Sequence, residues 1–208
     1  MRMRSFASAF GIMMLTLFAS GAVPPEAPLA DAAMNGDMSR VEALLRQGAD
    51  VNAAQGDGMT ALHWAAELGR ADMAERIIEA GAEVSVTTRV GDYTPLHVAA
   101  RGGHADVARV LLEAGADPSV STSTGGTMPL HFAASTASEE TVAALLEFGA
   151  AVDSREEHWG QTALMFAASA GRMPTVRTLL QAGADVNAKS GVMDMRQRAA
   201  EDRAAGQI

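Results

Sequence analysis

The chain has 208 residues, 48% of them apolar and 20% charged, and 43 are alanine, a helix former with no polar group and little side-chain entropy to lose. That composition excludes most all-β architectures, and 20 Gly against 7 Pro excludes a disordered or collagen-like chain. A formal charge of −9 makes nucleic acid and anionic membrane surfaces poor partners, and the lack of cysteine removes disulfides, thiolate metal sites, cysteine nucleophiles and cysteine-linked lipid. Aromatic residues make up only 4%, too few for a core built on large rings, so small residues that let helices approach closely point to a layered helical stack.

Residues 1–22 carry Arg2 and Arg4, an apolar run from Phe6 to Ala19, and then Ser20, Gly21 and Ala22 ahead of Val23, Pro24 and Pro25. This is the three-part layout of a secretory signal, with cleavage predicted after Ala22, or else after Gly21. The run of 14 residues falls short of the ~20 that span a bilayer. The mature chain keeps 14 basic and 25 acidic residues, a charge of −11. It is expected to be exported, periplasmic or secreted, without membrane insertion after the signal is removed.

A period of 34 organises the rest: Thr60-Ala61-Leu62-His63, Thr94-Pro95-Leu96-His97, Met128-Pro129-Leu130-His131 and Thr162-Ala163-Leu164-Met165. Ala65-Ala66, Ala99-Ala100, Ala133-Ala134 and Ala167-Ala168 keep step. So do Ile77-Ile78, Leu111-Leu112, Leu145-Leu146 and Leu179-Leu180, and each unit closes on Gly-Ala at Gly81, Gly115, Gly149 and Gly183.

This pattern strongly resembles the ankyrin repeat family over about residues 27–188. The resemblance implies an all-α solenoid of stacked helix-turn-helix units with β-hairpin loops, in about five repeats at 27–57, 58–91, 92–125, 126–159 and 160–188. A tail or capping helix at 189–208 follows. Three hairpin segments run one residue longer than the family's usual unit, so their tips are expected to bulge. The residues of a single unit agree. Thr94 can cap a helix whose first position is Pro95, Leu96, Ala99 and Ala100 face inward, and Gly103 ends that helix. A second helix is predicted from Ala105 to Glu113 with Val107, Val110, Leu111 and Leu112 buried, and Gly115 turns the chain into the hairpin.

Asp31 falls where Trp64, Val98, Phe132 and Phe166 stand in later units, which marks a polar outer repeat. At the other end no further T-P-L-H follows Asn187-Ala188. Two readings of Asp194–Ala205 stay open, a mixed-charge helix shielding the last repeat, or a chain shorter than its relatives or broken off before more repeats. Met128 replaces a capping Thr at a cost of about 1 kcal/mol, and with Ala137 in a helix-ending Gly position repeat four is expected to be the loosest.

His63, His97 and His131 recur at the repeat spacing, but stacked helical layers lie roughly 8–10 Å apart and ligands sharing one zinc sit about 2 Å from it. No metal is expected there; the resemblance implies that these imidazoles bond to neighbouring backbone. Met193 and Met195, two thioethers without a nearby histidine, are weak grounds for copper(I) and read as core filling or tail. Glu156-Glu157-His158-Trp159 gathers acid, imidazole and a large ring, but no convergent group completes a catalytic site. Trp159 either anchors a partner or packs on its own hairpin.

The expected function is a non-enzymatic protein-binding module, a monomer without a cofactor, whose partner is another protein met on the concave face of hairpin tips and first helices. The resemblance carries partner contacts onto Asp57, Met59, Glu67 and Leu68; Tyr93 and Arg101; Thr127, Ser135 and Thr136; and His158, Trp159, Gln161 and Ser169. Met59, Leu68, Tyr93 and Trp159 are expected to form an apolar path, while Asp57 and Glu67 favour a partner with some positive charge. The alternative is a structural end piece, or a regulatory subunit of a larger exported assembly such as a periplasmic redox enzyme.

Overall fold

The computed structural model describes residues 27–136 and 138–191; the expected signal at 1–22, Ala137 and the tail beyond Gly191 lie outside the described residues. Among the described residues ten helices follow in chain order: α1 (Pro28–Met34), α2 (Met38–Arg46), α3 (Ala61–Glu67), α4 (Ala71–Glu79), α5 (Pro95–Gly102), α6 (Ala105–Glu113), α7 (Pro129–Thr136), α8 (Glu139–Glu147), α9 (Ala163–Ser169) and α10 (Met173–Gln181). Each is too short to stand alone in water, so packing must supply its stability. Odd-numbered helices stack on one another in order and so do even-numbered ones, and the two helices of each repeat pack together. Leu29, Leu62, Leu96, Leu130, Met73, Ile77, Leu111, Leu145 and Leu179 form the fully buried spine, and the alanine pairs let the layers approach.

The cap logic holds in detail. Thr94 Oγ1 accepts from the His97 amide, His97 Nδ1 accepts from the Thr94 amide at 3.1 Å, and Thr60 with His63 repeats the arrangement. Gly103 ends α5 at φ 70°, a left-handed conformation that a side chain resists. Helix α6 spans the predicted residues, but its buried face differs: Val107, Ala108, Leu111 and Leu112 are inside, while Val110 is only partly covered. At α7, Met128 offers no hydroxyl, and His131 Nδ1 alone completes its half of the exchange by accepting from the Met128 amide at 3.2 Å.

At α9 the partner is missing instead of the cap. Met165 stands in the histidine position, and the Thr162 hydroxyl is buried with no hydrogen-bond partner among the described residues. Since an unpaired buried hydroxyl is a cost while a capping hydroxyl is a gain, the same substitution should act in opposite directions. Thr94→Val is expected to destabilise the chain by about 1–2 kcal/mol, whereas Thr162→Val is expected to be neutral or to stabilise by up to about 1 kcal/mol. Urea unfolding of the two variants checks the difference in sign.

The loops between repeats are hairpins held by few bonds. Among the described residues the one β-bridge is isolated, pairing Arg155 with Thr162, and no loop extends into a strand. The first tip closes with the Gln55 amide donating to Met59 O; the next three close one residue wider, Thr88 to Tyr93, Thr122 to Thr127 and Glu156 to Gln161. The extra residue of the three longer segments therefore sits inside the tip. There Gly91 and Asp92 (φ 84° and 53°) and Gly125 and Gly126 (φ 111° and 65°) take left-handed conformations. Successive tips are joined by backbone bonds at one offset: Arg89 N to Asp57 O, Ser123 N to Gly91 O, Glu157 N to Gly125 O and Gly191 N to Trp159 O.

Candidate protein-interaction surface

Tips and first helices together present one face, and a groove of about 240 Å³ opens on it between the second and third repeats. Asp57, Met59, Tyr93 and Arg101, all expected contact positions, line it together with Thr88, Val90 and Val98. Val90, 78% exposed, could not be anticipated because it precedes the positions the family pattern marks. Val98 occupies the repeat position of Trp64 and Phe132, where a smaller side chain leaves space.

Aromatic and cation contacts brace the groove wall. Tyr93 meets Phe132 at 5.8 Å and the His97 ring edge-on at 6.0 Å, and the Arg101 guanidinium lies 5.7 Å above the Tyr93 ring. Arg101 also donates to Glu67 at 2.9 Å. Both partners are about half exposed, so the pair orients the guanidinium more than it stabilises the fold. Asp57 Oδ1 accepts from the Met59 amide at 2.9 Å and leaves its charge at the groove mouth.

The remaining expected positions do not all join this groove. Leu68, 43% exposed, lies against Gly36 of the preceding unit. Trp159, 47% exposed, stacks edge-on with His158 at 5.2 Å on the fourth tip. The apolar path is thus a groove flanked by two separate apolar side chains. Ser135 and Thr136 turn their hydroxyls back to Phe132 O and Ala133 O, and Ser169 to Phe166 O, which leaves their side chains engaged with their own helices. The Thr127 and Gln161 amides close their tips by donating to Thr122 Oγ1 and Glu156 Oε1.

Glu156 was not separable from its neighbours by sequence, and it is structural. Its buried carboxylate accepts from the amides of His158, Trp159 and Gln161 at 2.6, 2.7 and 2.9 Å. Burial alone would raise its pKa, but the three amides outweigh burial and hold it below the ordinary carboxylate range. Thr88 and Thr122 do the same service with a hydroxyl in the two preceding tips.

His63, His97 and His131 are fully buried. His63 Nε2 donates to Tyr93 O at 3.0 Å and His131 Nε2 to Ser154 O at 3.1 Å, so each neutral ring clips its helix to the next hairpin. His97 makes the Nδ1 contacts, but its Nε2 has no partner in bonding geometry among the described residues. Desolvation lowers the pKa of all three, that of His97 to about 4. Among the described residues no group of three or more His, Asp or Glu is placed to hold a metal ion, and no helix is long and apolar enough to cross a membrane.

The family model for ankyrin repeats (3 copies) matches residues 29–122 and again 120–190. No curated protein matches the chain. Ankyrin repeats are generally protein–protein interaction modules and typically non-enzymatic. With the repeating helix pairs, the histidine-clipped caps and the family match together covering nearly every described residue, the chain belongs to the ankyrin repeat family.

Proposed function

We propose that this chain is an exported binding module that holds a partner protein on the face formed by its hairpin tips and first helices. The observation that carries the reading is the groove in which Asp57, Met59, Tyr93 and Arg101 converge. Its walls of Met59, Val90, Tyr93 and Val98 suit an apolar side chain of the partner. Arg101 is matched by Glu67, so among the lining residues the charge without an opposite partner is that of Asp57. Residues 27–191 carry 21 acidic against 11 basic side chains. A partner segment with an apolar anchor beside lysine or arginine complements both. Export is supported by the layout of residues 1–22.

The test is affinity capture from periplasmic and secreted fractions on the native chain, Tyr93→Ala, Trp159→Ala and Val90→Asp, with mass spectrometry of what is retained. Val90→Asp alters the groove without touching the core, so it separates lost binding from lost folding. A protein retained by the native chain is expected to bind Tyr93→Ala and Val90→Asp at least tenfold more weakly. Equal retention by all variants would sink the concave-face reading. One observation favours the alternative of an end piece in a larger exported assembly: Leu180 and Val186 of the last described repeat are 40% and 67% exposed.

A further inference from the structure

One joint in the stack lacks the ring that the next two carry. Phe132 and Phe166 are half-buried and each packs back on the preceding unit. Phe132 meets Tyr93 at 5.8 Å and the His97 ring edge-on at 6.1 Å, and Phe166 meets His131 at 5.3 Å. The 34-residue step puts Val98 in the same position between the second and third repeats, where Met59 and His63 are the equivalents of Tyr93 and His97. Val98 is 2% exposed, and its short side chain ends at the floor of the groove. The groove therefore lies where a Phe at residue 98 would place its ring.

The walls favour the same kind of occupant. A volume of about 240 Å³ is ample for one ring, since a cavity of about 150 Å³ takes up benzene. Met59 brings a thioether and Tyr93 a ring, and both attract an aromatic group beyond what its buried area supplies. Tyr93 is held in place from behind: a Cβ on Gly91 would fall 2.4 Å from its ring, so only glycine leaves room for it. The Asp57 carboxylate, fixed by the Met59 amide at 2.9 Å, has no opposite charge among the lining residues. A cation next to the ring would meet it.

We propose that the groove takes one aromatic side chain of the partner, adjacent in sequence to lysine or arginine, and that Val98 sets this preference by leaving the place of a ring open. The inference rests on the concave-face reading and narrows it to one anchor. The probe is a random peptide library displayed on phage, selected in parallel on the native chain, Val98→Phe and Val98→Ala. Val98→Phe gives the third repeat the side chain that Phe132 and Phe166 already supply, so the chain fills its own groove; circular dichroism and urea midpoints establish that each variant folds.

The native chain is expected to enrich peptides with Phe, Tyr or Trp beside Lys or Arg, and these should bind Val98→Phe and Val90→Asp at least about tenfold more weakly. Val98→Ala deepens the floor and is expected to shift the enriched anchor toward Trp, which keeps the test open should Val98→Phe fail to fold. Peptides that depend on Val90 but carry Leu, Ile or Val, or that bind Val98→Phe undiminished, would overturn the inference and leave the concave-face reading standing. An anchor that Val98→Ala does not change, or a selection without any Val90-dependent peptide, would overturn it too. Peptides that bind Val90→Asp and Tyr93→Ala as well as the native chain would count against both.

Discussion

Glu156→Ala is expected to cost about 3 kcal/mol of folding stability, because three tip amides that now share one buried carboxylate would each lose their acceptor. Few surface-loop substitutions approach that value, since most loop side chains carry no such duty. Glu156→Gln keeps one acceptor oxygen without the charge and is expected to lose about half as much. The pH dependence gives a second, independent reading. The folded carboxyl has a lowered pKa, so its contribution is present above the unfolded pKa and is lost as pH falls through the folded one. The gap between the native chain and Glu156→Gln should therefore be full at neutral pH and narrow as pH falls below the ordinary carboxylate range. Urea midpoints for the pair at pH 7 and pH 3 check this; a constant gap would remove the charge from the explanation.

Acid should weaken the fold earlier and more through the histidines. In His63 and His97 the Nδ1 atom accepts from the cap residue's amide and faces its hydroxyl, and a protonated Nδ1 cannot accept. Burial is the main cause of their lowered pKa, so the folded rings stay neutral while the unfolded chain binds protons from about pH 6.5 downward. A base with a lowered folded pKa makes stability fall between the two values. With His97 at about 4, that ring alone is expected to remove about 3 kcal/mol between pH 7 and pH 4, with His63 and His131 acting in the same direction. Urea unfolding from pH 7 to pH 4 should show the decline, and His97→Gln should flatten it while starting from a lower value. Stability that stays level down to pH 5 would show that the rings take up protons in the folded chain.

Most of the scaffold was readable because its causes are local and periodic. Thr94, Pro95 and Gly103 each dictate a backbone state by their own chemistry, and the 34-residue step repeats the instruction. The extra tip residue could be counted between Gly81 and His97, although only the closing bond from Thr88 to Tyr93 locates it. What could not be read depended on neighbours in space. Val110 is only partly covered while Ala108 takes an inner position. Ser135, Thr136 and Ser169 look free as text, yet their hydroxyls fold back onto helix carbonyls. Glu156 resembles one more exposed acid until the tip wraps around it, and Val90 enters the groove only because consecutive tips lie side by side.

The tip-to-tip bonds from Arg89 to Asp57, Ser123 to Gly91, Glu157 to Gly125 and Gly191 to Trp159 use main-chain atoms alone. The frame therefore tolerates exchange of most tip side chains, with Thr88, Thr122, Glu156 and the left-handed glycines Gly91, Gly125 and Gly126 as the exceptions. Mutation can reach a new binding preference by exchanging tip side chains one at a time, each step leaving the stack intact. That separation of scaffold from recognition makes the face a suitable starting point for selecting binders to unrelated targets, with residues 88, 91, 122, 125, 126 and 156 held constant.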